Sequence, residues 1–252
     1  MSGLRLAAGR ARLENRVFWR NPTAAFFTIV FPLVFLLVAD VALAGPLGGR
    51  GQAARFYTPS IMAFGLITAC YTSLAMGVVL AREAGTLKRL RGTPLPTWAY
   101  VAGRIGQPLF VAALLATLIG LYGALVHGLT VPLERLPLLL VALTVGALSF
   151  SALGLAITAA VPNAGAAPAF INATILPLLL ISDVLVPLDQ GVLATIAGLF
   201  PVRHLADALR AAYDPTAALA AGEGTSSILV VGAWGLAGLF VALRSFSWSP
   251  RG

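Results

Sequence analysis

The chain has 252 residues, of which 59% are hydrophobic and 10% are charged, and its mean hydropathy is +0.91. This composition excludes a soluble globular domain and indicates an integral membrane protein. The net charge of +8 does not indicate a nucleic-acid partner, because the basic residues lie in segments between apolar runs rather than on the basic face of a soluble scaffold.

The first 22 residues are basic and contain apolar residues at roughly helical spacing. The arginines of this segment, opposed by Glu14 alone, are Arg5, Arg10, Arg12, Arg16 and Arg20. Leu6, Leu13 and Val17 supply an apolar face. We predict an amphipathic interfacial helix over residues 1–22 with its arginines toward anionic lipid headgroups. A disordered basic tail is the alternative interpretation.

Apolar runs of about 20 residues, the length that crosses the hydrocarbon core of a bilayer, recur along the chain. We predict six spans, at residues 24–44, 57–80, 105–126, 136–161, 170–186 and 227–243. Outer loops are expected at 45–56 and 127–135, with an inner link at 162–168. Asp40 lies near the outer end of the first span, where we expect it to reach headgroups. The predicted fold is therefore an all-α membrane protein with one transmembrane domain, residues 1–252.

The densest charge of the chain lies between the second and third spans. Arg82, Glu83, Lys88, Arg89 and Arg91 fall within ten residues, and such a cluster cannot lie inside lipid. We predict a short cytoplasmic helix over residues 82–91, which Gly92, Thr93 and Pro94 end.

The distribution of basic residues predicts the topology. Five precede the first span, five lie between Arg82 and Arg104, and two follow the sixth span, whereas the predicted outer segments hold five. Positive residues collect on the cytoplasmic side. We therefore expect both ends of the chain in the cytoplasm, in the cell membrane.

The segment after the fifth span is acidic and is interrupted by Pro201 and Pro215, so we predict one or two short outer helices there. Arg203, Asp207 and Arg210 have the spacing of a charge ladder on one helix face. The ladder is either a solvated stabilising feature or part of an outer gate. Asp183, near the outer end of the fifth span, is a further gate candidate, because a carboxylate near a span often marks a polar path or an interface.

Polar residues on two spans predict a path for a transported molecule. Thr68 and Thr72 share a face of the second span, and Asn172 and Thr174 lie at the start of the fifth. We expect these residues to line a mildly polar cavity between paired subunits. The alternative is that their side chains bond only to neighbouring helices.

The sequence contains none of the motifs that would indicate catalysis or a bound cofactor. There is no G-x-x-x-x-G-K-[ST] loop for ATP, no H-E-x-x-H metal motif and no G-x-S-x-G nucleophile motif. The lone cysteine, Cys70, lies in an apolar run, and we interpret it as a packing residue. We predict neither catalytic residues nor a metal site, and we interpret His127 and His204 as interface residues.

Three stretches resemble the permease subunits of ATP-binding-cassette (ABC) exporters of the second type, the group that includes daunorubicin-resistance and polysaccharide-export membrane subunits. Residues 18–38 are similar to that family's entry into its first span, and residues 176–210 to its fifth span and following outer segment. A third stretch resembles the intracellular coupling segment of that family. It contains Glu83, Gly85, Thr86, Leu87, Arg89, Leu90, Arg91, Thr93, Pro94 and Leu95. Asp183 departs from the resemblance, because a small residue such as glycine is expected there.

The resemblance implies two permeases and two separate ABC ATPases, with ATP and Mg²⁺ bound by the ATPases and none by this chain. It implies that the coupling segment contacts the ATPase through Arg82, Glu83, Gly85, Thr86, Leu87, Lys88, Arg89, Leu90 and Arg91. The expected cargo is a hydrophobic or amphipathic drug, antibiotic or lipid-like molecule, and the membrane lipid is the other expected partner. The alternatives are a polysaccharide or glycolipid exporter and an ion- or proton-coupled carrier. A membrane-embedded hydrolase ranks third, since a nucleophile and base pair is lacking.

The predicted topology can be tested with single cysteines at Gly48, Gly92 and Glu223 in a Cys70→Ala background. A membrane-impermeant thiol reagent added outside the cell should label the first and third sites but not the second. Labelling of the Gly92 site alone would contradict the topology.

Overall fold

The computed structural model describes residues 3–42, 49–87, 97–184, 192–214 and 223–245, and the regular elements within these ranges are helices. The main helices are α1 (Gly3–Trp19), α2 (Pro22–Ala42), α3 (Arg50–Glu83), α4 (Thr97–His127), α5 (Leu136–Ile157), α6 (Ala167–Ile181), α7 (Val192–Ala197), α8 (Pro201–Tyr213) and α9 (Glu223–Ser245). α2 and α3 each contain a π-helical turn, at Phe26–Val30 and Thr68–Ser73.

Five of these helices, α2, α3, α4, α5 and α9, are long and apolar enough to cross a membrane. The chain is therefore a multi-pass membrane protein. The predicted fifth span corresponds to α6, which has 15 residues and is shorter than the roughly 20 needed for a complete crossing. Six spans therefore remains a prediction.

Two helices extend beyond the predicted spans. α3 begins at Arg50, so the part of the predicted outer loop from residue 50 to residue 56 is helical, contrary to the prediction. α4 begins at Thr97, eight positions before the predicted third span. In both cases the added stretch includes charged or polar residues. A helix can continue through them, because helix formation does not require an apolar side chain.

Side-chain contacts show that α2, α3, α4 and α5 run in alternate directions, whereas α9 runs parallel to α5. We call the end of the bundle that carries α1 the inner end, following the predicted topology. At the opposite, outer end the guanidinium of Arg135, just before α5, donates to the carbonyl of Ala211 in α8 at 2.5 Å. At the inner end the last turn of α3 contacts the residues after α5 through Arg82.

Helices α5 and α9 pack closely through glycines of α9. A Cβ atom added at Gly235 would lie 2.2 Å from Oγ of Ser149, and one at Gly238 would lie 2.9 Å from the backbone nitrogen of Leu153. Small residues of this kind let membrane helices approach until their backbones are in contact.

Helix α1 packs on the inner half of α4. Gly103 of α4 leaves room for the backbone carbonyl of Ala7. The carboxylate of Glu14 lies between the guanidinium groups of Arg10 and Arg104. Arg10 therefore faces the protein, contrary to the predicted orientation toward headgroups. The exposed arginines of this region are Arg5, Arg12 and Arg16 in α1 and Arg20 directly after it.

Asp40 does not reach the headgroups, and the prediction was wrong on this point. Its side chain is buried between α2 and α4, where the Tyr122 hydroxyl donates to its Oδ2 at 2.9 Å and Nε2 of His127 lies 3.1 Å from its Oδ1. The Tyr122 hydroxyl thus satisfies Oδ2, whereas Oδ1 lies within ion-pair distance of His127 and has no hydrogen bond among the described residues.

The close packing of α5 and α9 predicts opposite effects for two glycine substitutions in α9. Gly238→Ala should destabilise the protein by about 1–3 kcal/mol, because the added methyl overlaps backbone atoms and forces the helices apart. Gly232→Ala is the matched control: its Cβ would lie 3.8 Å from Val145, and replacing a helical glycine without a clash should stabilise by up to about 1 kcal/mol. Unfolding of both purified variants in detergent measures the two effects, and equal stabilities would contradict the packing.

Candidate functional site

The predicted coupling segment begins in the structure with two residues that contact the link between α5 and α6. The guanidinium of Arg82 is buried and donates to the carbonyls of Thr158 at 2.9 Å and Val161 at 2.5 Å. The exposed carboxylate of Glu83 accepts a hydrogen bond from the backbone N–H of Ala164. Arg82 thus faces the interior, whereas the expected contact with a partner ATPase would require it at the surface.

The chain turns directly after these residues. α3 ends at Glu83, and Gly85 has a φ of +68°, a left-handed conformation that glycine adopts without strain. The predicted helix over residues 82–91 is therefore interrupted at this turn. Thr86 and Leu87 are helical again, and Leu87 is fully buried. Lys88, Arg89, Leu90 and Arg91 lie outside the described residues.

The two helices predicted to line a path, α3 and α6, are in contact. The hydroxyls of Tyr71 and Thr174 lie 2.6 Å apart. Thr68 and Thr72 are half-buried on one face of α3, and Thr68 donates to the carbonyl of Phe64 at 2.9 Å. Asn172 is exposed on α6. Tyr71, which the sequence analysis missed, therefore joins α3 to α6 through a hydrogen bond.

A cavity of about 510 Å³ lies between α5, α6 and α9, and the start of α8 forms one wall. Its lining is apolar apart from the Tyr71 and Thr174 hydroxyls and the indole of Trp234, whose N–H donates to the carbonyl of Leu199 at 3.0 Å. Of the four predicted path residues only Thr174 lines it. The volume lies within the range of about 300–1,000 Å³ found for small-molecule sites.

The predicted gate residues meet at Arg210, on the inward side of α8. Its Nη1 donates to Asp207 at 3.0 Å and to the Asp183 carboxylate at 3.3 Å, and its Nη2 donates to the backbone carbonyl of Asp183. Nη2 also donates to Ser60 of α3 at 2.8 Å, and the guanidinium lies 4.3 Å from the centre of the Phe56 ring. We call these five residues the Arg210 cluster.

The Arg210 cluster lies in the outer half of the bundle, and its charged side chains are only partly buried. Ser60 is ten positions along α3 from Arg50, a distance of about 15 Å. The predicted charge ladder is present, because Asp207 also lies 3.7 Å from Arg203. However, the Arg210 side chain does not lie on a solvated face, as it would in a simple surface ladder. It points toward Asp183 and Ser60.

Burial perturbs the ionisation of the cluster. It raises the pKa of Asp207 above the ordinary value of a carboxyl group, although the nearby charges of Arg210 and Arg203 act against this. It also lowers the pKa of Arg210, against the influence of Asp207 and Asp183. Both directions are those expected when a charged group is removed from water. Since an arginine stays protonated under such conditions, its carboxylate partners are needed to balance its charge.

No cluster of three or more His, Cys, Asp and Glu side chains that could hold a metal ion occurs within the described ranges. The inner contacts, the cavity and the Arg210 cluster are therefore the candidate functional features. Each of these features lies where helices of the bundle meet.

Comparison with known families identifies the family of this chain. The family model described as ABC-2 type transporter matches residues 11–213. The chain belongs to the ABC-2 type transporter family. No curated protein matches it. Family membership makes this ABC-2 transporter chain a membrane component of an ABC transporter and implies an ABC ATPase as its partner, and members of this family are generally not catalytic themselves.

The one departure of this ABC-2 transporter from the family resemblance has a structural explanation. Asp183 has a φ of +61°, and it is the only non-glycine residue with a positive φ among the described residues. The glycine expected at this position suits that conformation. Asp183 adopts it while both its carboxylate and its backbone carbonyl accept hydrogen bonds from Arg210.

Two substitutions at Asp183 separate the backbone requirement from the charge. Asp183→Gly and Asp183→Ala both remove the carboxylate, but only alanine opposes the left-handed backbone, so the alanine variant should be less stable by about 1 kcal/mol. Thermal unfolding in detergent at one pH measures the difference. An alanine variant as stable as the glycine variant would show that the position does not require this conformation.

Proposed function

We propose that this ABC-2 transporter is the permease subunit of an ATP-driven exporter. It moves a hydrophobic or amphipathic compound, such as a drug, an antibiotic or a lipid-like molecule, out of the cell. A separate ABC ATPase subunit binds ATP and Mg²⁺ and hydrolyses the ATP. The observation that carries the proposal is the family match over residues 11–213, which covers the first predicted span, the charged segment and the outer helix α8.

The charged segment after α3 is the proposed docking site for the ATPase. Glu83 is exposed at the inner end of α3, and the sequence places Lys88, Arg89 and Arg91 directly after it. A short charged segment on a compact turn offers a partner both ionic contacts and a fixed position. Leu87, being buried, holds this segment to the permease rather than contacting the ATPase.

The proposed cargo follows from the lining of the candidate path. The cavity beside Thr174 contains no charged side chain among its lining residues, and the face of α3 that carries Thr68 and Thr72 has Phe64 and Met76 one turn to either side. Such surfaces accommodate an apolar molecule with few polar groups at low desolvation cost. A polysaccharide would need many hydrogen-bonding groups, so we place polysaccharide or glycolipid export second.

We further propose that two permease copies form the transporter, with the exposed side of α6 toward the second copy. This side carries Asn172, Leu176 and Leu180, which are all exposed within one chain. An exposed amide in hydrocarbon is costly, and a second copy or a polar path would supply its partner. The exposed arginines of α1 are proposed to contact anionic lipid headgroups.

The Arg210 cluster is the proposed outer gate. Movement of α8 away from α3 and α6 would have to replace the hydrogen bonds of Arg210 to Ser60 and Asp183. These charge-assisted bonds are stronger than neutral ones, so they favour the packed position of α8 until the transport cycle supplies energy.

A proton-coupled carrier remains the rival function, and the buried contact between Asp40 and His127 is the observation that favours it. Carriers of that class use ionisable residues buried within the membrane. The exporter uses ATP and the carrier uses a proton gradient. Transport measurements distinguish these two energy sources directly.

The function is tested by reconstituting the permease with its ATPase in liposomes and following a fluorescent amphipathic dye. Transport should require ATP hydrolysis and should continue when a protonophore removes the pH gradient. Transport that follows the pH gradient without ATP would establish the carrier instead. In the same assay Arg210→Lys should slow ATP-driven transport, because lysine cannot reproduce the several directed bonds of the guanidinium.

The path is tested in the same liposomes with Thr72→Leu and Asn172→Leu. Each should change the relative transport rates of several dyes before it changes assembly, because bulky apolar side chains alter the lining. Thr144→Leu is the matched control, since Thr144 is an exposed threonine on α5 that donates to the carbonyl of Leu140. If both path variants keep the wild-type dye profile and rates, Thr72 and Asn172 do not line the path.

A further inference from the structure

The contacts of Arg82 and Glu83 fix the inner link between α5 and α6. Arg82 donates to two carbonyls of this link, Thr158 and Val161, and Glu83 accepts from the N–H of Ala164. Two neighbouring side chains at the end of α3 thus hold three backbone groups of the link. We call this set of contacts the inner clamp.

The inner clamp satisfies groups that the helix itself leaves without partners. The last carbonyls of an α-helix have no intrahelical donors, and Thr158 directly follows the end of α5 at Ile157. A cation at this end also interacts favourably with the helix dipole. Because the Arg82 side chain is buried, separating it from these carbonyls would leave buried polar groups unsatisfied, which is costly. The end of α3 and the link should therefore move together.

The inner clamp connects the charged segment with α6, two regions that lie far apart in the sequence. On one side, the chain passes from Glu83 through the turn at Gly85 into the charged segment. On the other side, the link leads directly into α6, which begins at Ala167 and carries Thr174 beside the cavity. Just after its outer end, Asp183 binds Arg210.

We propose that Arg82 is a positioning residue that transmits movement of the charged segment to α6. Displacement of the segment by a partner ATPase pulls the end of α3, the inner clamp carries the displacement to the link, and the link shifts α6 relative to the cavity and the Arg210 cluster. This inference rests on the proposed function, because it requires an ATPase that acts on the segment after Glu83.

The geometry favours arginine over lysine at this position. The two accepting carbonyls belong to residues three positions apart, and Nη1 and Nη2 each bond one of them. A guanidinium presents several donors in a fixed plane, whereas an ammonium is a point charge on a flexible stem. Arg82→Lys keeps the charge and should lose part of the transmission, and Arg82→Gln should lose more.

The test uses the permease–ATPase complex in liposomes and measures ATPase association, ATP hydrolysis and dye transport for each variant. Arg82→Gln should retain the bound ATPase and its hydrolysis while the dye transported per ATP falls at least about tenfold, within the range of coupling between linked sites. Arg82→Lys should fall less. Arg244→Gln is the matched control, because Arg244 is exposed at the inner end of α9 and should transport as wild type.

Variants of Glu83 test whether this residue acts in the inner clamp or only as a charge that the ATPase recognises. Glu83→Gln keeps an oxygen that can accept from Ala164 and should transport nearly as wild type, whereas Glu83→Ala should lose transport per ATP. If Glu83 acts only as a charge that the ATPase recognises, both variants should lose ATPase association equally, and that result would overturn its place in the clamp.

A spin label reports the movement itself. Ala160→Cys in a Cys70→Ala background places the label on the exposed part of the link between the two carbonyls that Arg82 binds. Its mobility should change on addition of nucleotide in the otherwise wild-type complex and should stay constant in the Arg82→Gln complex with the ATPase still bound. An unchanged nucleotide response in Arg82→Gln, together with wild-type transport per ATP, would overturn the inference.

Two further outcomes are separated by the same measurements. If Arg82→Gln does not assemble, Arg82→Lys decides by the same criteria, since it keeps the charge and most of the volume. If the wild-type complex itself shows no ATP-dependent transport, the proposed function fails, and the transmission inference fails with it. Wild-type transport combined with normal coupling in the Arg82 variants refutes the inference alone.

Discussion

Buried or partly buried arginine side chains hold backbone carbonyls at three places where helices of this transporter meet. Arg82 binds the carbonyls that follow α5, Arg135 binds the carbonyl of Ala211 near the end of α8, and Arg210 binds the carbonyl of Asp183 after α6. Inside a membrane protein little water reaches such carbonyls, so an unsatisfied one is costly. A guanidinium satisfies several at once and gains strength from the low dielectric of its surroundings. The positions of α5, α6 and α8 depend on these contacts.

Helix α6 is held at both of its ends by side chains of other helices. It is too short to be recognised as a complete span, yet both of its flanks are anchored, by Glu83 at the inner end and by Arg210 at the outer end. Between these anchors it borders the cavity and contacts α3 through Thr174 and Tyr71. A helix held at both flanks shifts as a unit when either flank moves, which suits it to respond to events at the inner end.

Much of the fold could be predicted from the sequence, because long apolar runs and short-range spacing are visible in it. The five long helices follow from runs of about 20 apolar residues, and the pairing of Asp207 with Arg203 and Arg210 follows from helical spacing. The contacts of Arg210 with Asp183 and Ser60 join residues 27 and 150 positions apart. No local pattern indicates such pairs. The same limit explains why Asp40 was expected at the headgroups, since its contact with His127 depends on how α2 and α4 pack.

The charged segment shows most clearly what the sequence alone does not predict. Charge density marks this segment in the sequence, but charge alone does not show which side chain faces a partner and which faces the protein. Arg82 was expected at a docking surface and is buried against the carbonyls after α5, whereas the neighbouring Glu83 is exposed. The left-handed turn at Gly85 separates this clamped region from the basic residues that follow in the sequence.

The central claim is that an ATPase acts on this permease through the charged segment and the link that the inner clamp holds. Hydrogen–deuterium exchange of the permease with and without its ATPase tests the claim most directly. Binding should slow the exchange of amides in residues 82–91 and 158–166 and leave those of α8 unchanged. Equal exchange of both inner segments in the presence and absence of the ATPase would contradict the claim.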